Sequence, residues 1–293
     1  MHIETAVIPS AGYGTRLLPI TKIISKSVLP IGTIPILSDV LWEAYMAGIR
    51  RVLIITHWRE ETIKNLIKSE ARELEDWLKK RGRVDLIEKI NKLIPDMEIE
   101  FIRQEVLNGL GGAILLAEDY IDKHFCVLLS DNIIIEKNKG SLLGEMMKIF
   151  EATQPSTLLA VAKVNKSEVK RFGIIEYKKQ INVGNALIYE VSNLMEKPDP
   201  NIAPSNLAIV GRYIFTAEIF EYLRGAPIIG KEIDETKAFK AQIDSGRKVF
   251  AIDLGGRRWF DVGNIEGYTK AFVSFIAAME GKDKVRKWLN EVI

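Results

Sequence analysis

The sequence predicts an α/β fold: a mixed, mostly parallel central sheet with helices on both faces. Three observations predict it. Short, nearly continuous apolar runs, such as residues 51–56 (RVLIIT) and 125–129, have the character of strands covered on both sides. They alternate with stretches whose apolar residues recur at helical spacing, as Ile36, Leu37, Val40, Leu41 and Ala44 do. Strand, helix and strand also follow one another within residues 5–56, the pattern of a right-handed βαβ crossover. So regular an alternation packs helices on either side of a parallel sheet.

In chain order, the first strand covers residues 5–9. Pro35 stands where a first helical turn accepts proline, and Gly48 marks the end of that helix. Residues 60–80 read as one long helix, with Ile63, Leu66, Ile67, Leu74, Trp77 and Leu78 on one face and a solvated, charged face opposite. A helix over 84–93 stops at Pro95, and a strand covers 97–103. Residues 104–112 form a glycine-bearing loop that opens a helix at about Ala113. The strand over 125–129 ends in Ser130-Asp131-Asn132. The second half changes character: 155–164, 173–177, 186–192 and 207–215 are strand-like and closely spaced, which suggests antiparallel additions. Helices over 217–223 and 232–245, a strand over 248–253 and one or two helices after Gly263 complete the chain. We expect one main domain over 1–263 with a helical insertion at about 70–93. A helical extension over 264–293 packs on it, and its Phe272, Phe275 and Ile276 serve either as core or as an interface.

The chain has 293 residues, 47% of them hydrophobic, enough to bury a substantial core. Lys and Arg number 41 against 39 Asp and Glu, a balance that gives no global attraction to nucleic acid or to an anionic membrane, so anion binding has to be local. The single cysteine, Cys126, sits inside an apolar run and reads as a buried small hydrophobe; no disulfide can form within the chain. No apolar run is long enough to span a bilayer, and no secretory signal precedes the first strand. We expect a cytoplasmic protein.

The most informative stretch is Pro9-Ser10-Ala11-Gly12-Tyr13-Gly14-Thr15-Arg16-Leu17-Leu18-Pro19, continuing to Lys26. An apolar strand ends in a loop of small residues and two cations follow, as a triphosphate site requires. Gly12 and Gly14 free the backbone to turn amides toward phosphate oxygens. Arg16 supplies a planar fork of donors and Lys26 a mobile point charge. Leu17 occupies the third glycine position of the dinucleotide fingerprint, and Thr15-Arg16 follows Gly14 where a P-loop needs Lys-Ser/Thr, so both motifs are excluded.

Asp131 stands past the carboxyl end of a presumed parallel strand, where ligands gather in open α/β sheets. Asp261, in Trp259-Phe260-Asp261-Val262-Gly263-Asn264, is the second candidate. Two such carboxylates suit Mg²⁺ if they converge; taken singly, either is equally a cap or turn residue. Glu196 and Lys197 end an extended segment before Pro198, a glutamate suited to sugar hydroxyls beside a lysine suited to a phosphate. A surface ion pair is the plainer alternative. Gln104 has the donor and acceptor that a pyrimidine edge demands, and Gly109 and Gly111 would admit a flat ring. His57 reads as a hydrogen-bonded loop histidine rather than a general base. His2 and His124 lack any metal-ligand spacing.

The pattern G-x-G-T-R-L-x-P followed by K-x-x-L-P resembles the sugar-1-phosphate nucleotidylyltransferases. Glu196-Lys197-Pro198, the run 203–213, Thr56-His57, the helical insertion, Arg103-Gln104 with Gly109-Leu110-Gly111, and Asp261-Val262-Gly263-Asn264 resemble the bacterial-type UTP–glucose-1-phosphate uridylyltransferases in particular. The resemblance implies a Rossmann-like nucleotidyltransferase fold and transfer of the uridylyl group of UTP to glucose 1-phosphate, giving UDP-glucose and pyrophosphate. By motif, Ala11, Gly12, Gly14 and Thr15 bind the nucleotide with Gln104 and Gly109, and Arg16 and Lys26 hold the triphosphate. Asp131 and Asp261 bind Mg²⁺, Gly173 and Glu196 hold glucose, and Lys197 holds its phosphate. A homo-oligomer, dimer or tetramer, is expected. A thymidylyltransferase using dTTP and a non-catalytic nucleotide-sugar-binding homologue are the alternatives. The chain departs from the family pattern at 231–238, where D/G-E-[IL]-Q-L-T-D-A is replaced by Lys231-Glu232-Ile233-Asp234-Glu235-Thr236-Lys237-Ala238, a segment that shapes the sugar pocket in related enzymes.

Overall fold

Alternation along the strands sorts the apolar side chains onto two faces. In β1 (Thr5–Pro9), Ala6 and Ile8 enter one core and Val7 the other. The same division splits Val52 and Ile54 from Leu53 and Ile55 in β2 (Arg51–Thr56), and Cys126 and Leu128 from Phe125 and Val127 in β4 (His124–Leu128). The computed structural model describes residues 3–68, 71–136 and 138–292. The remaining main strands are β3 (Glu98–Arg103), β5 (Thr157–Lys163), β6 (Gly173–Val183), β7 (Ala186–Glu196), β8 (Leu207–Thr216) and β9 (Val249–Asp253). They form one sheet in the order β3-β2-β1-β4-β8-β5-β9-β7-β6, in which every strand but β7 and β8 runs in one direction. The predicted mixed, mostly parallel sheet is what the chain forms.

The helices are α1 (Ile36–Met46), α2 (Glu60–Lys68), α3 (Arg72–Lys79), α4 (Val84–Asn91), α5 (Gly109–Leu115), α6 (Ser141–Thr153), α7 (Ile219–Gly225), α8 (Glu235–Asp244), α9 (Ile265–Glu280) and α10 (Lys282–Val292). On one face α1 and α6 contribute Val40, Leu41, Ala44, Met146 and Phe150. On the other, α5, α7 and α8 contribute Ile114, Phe220, Leu223 and Phe239, with Phe220 stacked on Phe125 at 5.2 Å. Each fully buried large side chain contributes about 1.5–3 kcal/mol of transfer free energy. Cys126 is buried in the sheet, where burial pushes its thiol pKa up, so it behaves as the predicted hydrophobe. Among the described residues no helix is long and apolar enough to cross a membrane.

Several elements differ from the sequence expectation, each for a local reason. The helix expected over 60–80 is two helices, α2 and α3; Ser69 and Glu70 lie outside the described residues, as does His2. Leu74 and Trp77, expected on the buried face, are exposed, and Arg81 covers the Trp77 ring at 3.8 Å. The insertion packs α3 mainly on α4, with Leu78 of α3 and Ile87 of α4 buried. α6 was not anticipated, although Leu142, Leu143, Met146, Ile149 and Phe150 stand at helical spacing. β6 and β7 extend to a turn at Gly184; the Lys178-Lys179-Gln180 stretch that hid this is an exposed edge, where charge discourages pairing with other chains. α5 begins at Gly109 rather than Ala113, because the two intervening glycines serve close packing. A Cβ on Gly111 would lie 2.8 Å from the Ile233 carbonyl oxygen. α8 begins only at Glu235: the Asp234 carboxylate accepts from the amides of Thr236 and Lys237, capping the helix there. Residues 232–233 pair instead with 228–229 in a small hairpin. At the end of the chain, Phe272, Phe275 and Ile276 are half-buried, Phe275 packs over Gly32, and the Tyr268 hydroxyl donates to the Pro30 carbonyl at 2.6 Å.

Candidate active site

The loop after β1 closes over a buried knot of hydroxyls. Ser10, Ser27 and Ser130 bond one another at 3.0–3.2 Å, and Ser130 donates to the Pro9 carbonyl, so the first loop, the Lys26 segment and the Asp131 loop form one unit. Within that loop only Gly14 uses the freedom expected of both glycines. Its φ is +66°, and a Cβ there would meet Thr21 at 2.9 Å, whereas Gly12 has ordinary backbone angles and a Cβ there would face open space. Gly14→Ala is therefore expected to cost about 1–2 kcal/mol from the left-handed backbone alone, read as a drop in denaturant midpoint, while Gly12→Ala leaves stability within about 0.5 kcal/mol.

Lys26 reaches the Asp131 carboxylate at 2.5 Å. Burial alone would raise the Asp131 pKa; the Lys26 ammonium, the Asn132 amide and the more distant Arg16 outweigh it and hold the carboxyl below its ordinary value. Asp261 arrives beside it through a ladder that the sequence did not disclose. Arg258–Asp261 pairs antiparallel with Asn132–Ile135, placing Asp261 opposite Asn132, and the Val262 amide donates to the Asp131 carbonyl at 2.8 Å. Trp259 Nε1 locks the pair by donating to Asn132 Oδ1 at 2.6 Å. Asp261 is held by the Gly263 amide and the Asn264 side chain, each at 3.0 Å, and faces Arg171 at 3.4 Å and Arg16 at 3.9 Å. The convergence can be read at one point. A Cβ on Gly263 would lie 3.0 Å from Asp261 Oδ1, 3.2 Å from Asp131 Oδ2 and 3.0 Å from Arg16 Nη2.

Two cavities meet at Asp131. One, of about 760 Å³, is lined by Ala11, Gly12, Gly14, Thr15, Lys26, Gln104 and Gly109. Gln104 is buried and donates to Asn108 Oδ1 at 2.8 Å and to the Gly109 carbonyl at 3.3 Å. Gly109 adopts φ +85° with its Cβ position filled by Glu232 at 2.7 Å, so the hairpin backs Gly109 and Gly111 on their Cβ side while Gly109 still lines the cavity. The other cavity, of about 310 Å³, is lined by Arg16, Asp131, Asp261, Gly173, Glu196 and Lys197. Gly173 pairs with Glu196 across β6 and β7, and a Cβ on Gly173 would press on Glu196 Oε2 at 3.2 Å. Lys197 has φ +46°, a conformation L-residues avoid, and this turn directs both Glu196 and Lys197 into one cavity. The Lys197 ammonium bonds Glu196 at 2.8 Å, which raises its pKa against the opposing effect of burial.

Every residue assigned by motif to the nucleotide, the sugar phosphate or the metal thus lines one of two adjoining cavities, whereas Gly111 is buried against Ile233 and lines neither. His57 also lines neither: its Nδ1 is buried without a hydrogen-bond partner among the described residues, contrary to the hydrogen-bonded histidine expected, and its ring meets the edge of Tyr13 at 5.8 Å. Sequence reasoning missed Arg171, whose signal was a cation directly before Phe172-Gly173. It also missed Glu43 with Arg212, a fully buried ion pair beneath Asp131, signalled by one acid on the apolar face of α1 and one cation inside an apolar strand.

A sheet whose strand ends carry a cation-lined cleft, with paired carboxylates between two cavities, defines an enzyme that joins a phosphate-bearing acceptor to a nucleotide. The chain belongs to the nucleotidyl transferase family, whose model matches residues 5–277. Within it the chain falls among the UTP–glucose-1-phosphate uridylyltransferases. It is 38% identical over 283 residues to that enzyme of Bacillus subtilis, covering 96% of this chain and 93% of the relative. A crystal structure of UDP-glucose pyrophosphorylase complexed with UDP-glucose superposes with a TM-score of 0.82 at 32% identity, over 94% of this chain and 100% of that one. The UTP-bound enzyme from Acinetobacter baumannii gives 0.86 at 30% identity, over 97% and 99%.

Proposed function

We propose that the chain transfers the uridylyl group of UTP to glucose 1-phosphate, releasing pyrophosphate and UDP-glucose. The observation that carries this is the meeting of Asp131, Asp261 and Arg16 around Gly263, at the junction of a cavity lined by the glycine loop and one lined by Glu196 and Lys197. Ala11, Gly12, Gly14, Thr15, Gln104 and Gly109 hold the nucleotide; Gly173 and Glu196 hold the hexose. Arg16 and Lys26 bind the triphosphate, and Lys197 binds the phosphate of the acceptor. That phosphate is already an anion, so its oxygen attacks the α-phosphorus in line without a general base, and the pyrophosphate departs opposite. The obstacle is repulsion between anions, which the three cations offset by charges fixed before the reactants arrive. Holding both reactants in one cleft supplies the remaining advantage.

Asp131 and Asp261 offer two converging carboxylates, the hard oxygen donors that Mg²⁺ takes together with phosphate oxygens, and they fit that ion. When bound, Mg²⁺ neutralises phosphate charge and acts as a Lewis acid. The body over 1–263 carries the site and 264–293 forms a helical extension on it, and we assign the enzyme to the cytoplasm as a homo-oligomer. The relatives are named for UTP and one was solved with UTP bound, which supports UTP rather than dTTP as the substrate here. The test is pyrophosphate release from a panel of nucleoside triphosphates with sugar 1-phosphates, with and without Mg²⁺. UTP with glucose 1-phosphate and Mg²⁺ is expected to give the highest kcat/KM; a clear preference for dTTP, or no release from any pair, overturns the assignment.

A further inference from the structure

The wall of the sugar-side cavity carries a carboxylate for which uridylyl transfer has no use. Glu235 opens α8, fixed there by the Asp234 cap, and lines the cavity with Glu196, Lys197, Tyr213, Thr236 and Phe239. It is half-buried, and among the described residues its carboxylate has no ion-pair or side-chain hydrogen-bond partner. The cation whose field reaches it, Lys197, is bonded to Glu196 and in the transfer reaction faces the acceptor phosphate. Burial raises the Glu235 carboxyl to about 7. The Glu196 and Asp234 carboxylates add to the rise, while its own backbone amide and Lys197 oppose it; Tyr213, facing from β8, has its own pKa raised by the same surroundings. The chain therefore places in the wall of the sugar-side cavity a carboxyl that has no ion-pair partner among the described residues and becomes charged as pH rises through about 7.

A neutral hydroxyl can donate to such a carboxylate but leaves its charge uncancelled. An ammonium on the hexose both donates and cancels it, and a charge-assisted hydrogen bond is roughly twice as strong as a neutral one. We propose that Glu235 is a specificity residue that admits hexose 1-phosphates bearing a free amino group, so that the enzyme uridylylates an amino-sugar phosphate as well as a neutral one. The inference rests on the uridylyl transfer proposed above. The bond changes are the same: an acceptor phosphate oxygen bonds the α-phosphorus, the bridge to the β-phosphorus breaks, pyrophosphate leaves with that electron pair, and the ammonium is unchanged. An acetylated amine loses the charge and is discriminated against, as a site built around a polar partner rejects the analogue lacking it.

The experiment measures kcat/KM with UTP for glucosamine 1-phosphate, N-acetylglucosamine 1-phosphate and glucose 1-phosphate, in the native chain and in Glu235→Gln and Glu235→Leu. Glucosamine 1-phosphate is expected to be used well above its N-acetyl form. Its ratio to glucose 1-phosphate is expected to fall on the order of tenfold in both variants, a loss typical of a charged partner. In the native chain that ratio should rise as pH passes through about 7 and Glu235 ionises, and it should be flat in the variants. The near-isosteric Gln variant and the use of a ratio within each protein keep a folding defect from imitating the effect. If glucose 1-phosphate turns over while glucosamine 1-phosphate is used no better than its N-acetyl form, or if the ratio is the same in all three proteins, the specificity role is overturned and uridylyl transfer stands. If no sugar 1-phosphate releases pyrophosphate from UTP, the transfer activity itself is overturned.

Discussion

Asp131→Asn is expected to lower kcat/KM for UTP and glucose 1-phosphate by on the order of 10²-fold or more while the protein remains folded. The substitution keeps shape and removes charge. It deprives the Gly263 junction of one of its two carboxylates and leaves Lys26, now 2.5 Å from Asp131, facing a neutral amide. A factor of 10² corresponds to about 2.7 kcal/mol in the barrier, the size expected when one fixed charge is lost from a site organised around phosphates. Pyrophosphate release at saturating UTP reads the effect, and a denaturant titration confirms the fold. Turnover near the native rate in a folded Asp131→Asn protein would remove that residue from the reaction. The acid limb of the native pH profile should not be that of Asp131. Its carboxyl sits below the ordinary range, so it stays ionised through weakly acid conditions, and its contribution is lost only as pH falls through that lowered value.

Asp131 and Asp261 show how far the sequence carries. Each stands after an apolar run and before a turn, which marks a strand end, and strand ends of one orientation crowd together on one edge of a parallel sheet. Their residue types were therefore legible, and so was the place of Asp131 on that edge, whereas Asp261 ends a strand of a separate two-stranded ladder. Their convergence was not legible, because it depends on the register of Arg258–Asp261 against Asn132–Ile135, four-residue strands without a turn signal between them. Glu196 and Lys197 repeat the lesson. Neighbours on a strand point to opposite faces, and only the left-handed turn at Lys197 sends both into one cavity. A lysine gives no notice of such an angle as a glycine would. The exposed edge of β6 was hidden by its lysines, and α8 was read too long because hydrophobic spacing continues through a residue, Asp234, that caps the start of the helix rather than joining it. Periodicity reports burial; caps and registers report where burial begins.

The buried pair Glu43–Arg212 carries the second large effect, and it separates stability from catalysis. Neither side chain has any exposure, and Arg212 binds both Glu43 oxygens at 2.6 and 2.7 Å. The same guanidinium donates to the carbonyls of Leu129 and Asn132, at 3.2 and 2.9 Å, on either side of Asp131. Burial opposes the charge on Glu43, yet Arg212 holds its carboxyl below the ordinary value, so the pair stabilises the fold above the unfolded carboxyl pKa and that contribution fades as pH falls through the lowered one. Glu43→Gln leaves a buried cation without its counter-charge and is expected to cost about 3–5 kcal/mol, measured by urea unfolding at neutral pH. Replacing both partners, Glu43→Leu with Arg212→Met, removes the unpaired charge and should recover much of that loss, since a well-packed apolar pair can match a buried ionic one. It cannot restore the donors to the Leu129 and Asn132 carbonyls, so the loop that aims Asp131 loses two of its ties. We expect the double variant to unfold near the native urea midpoint, with a weaker dependence on acid, and yet to turn over on the order of tenfold more slowly, because small misplacement of a reacting group costs rate steeply. Native turnover in a stable double variant would show that Arg212 supports only the fold; a slow, stable one assigns it the positioning of Asp131.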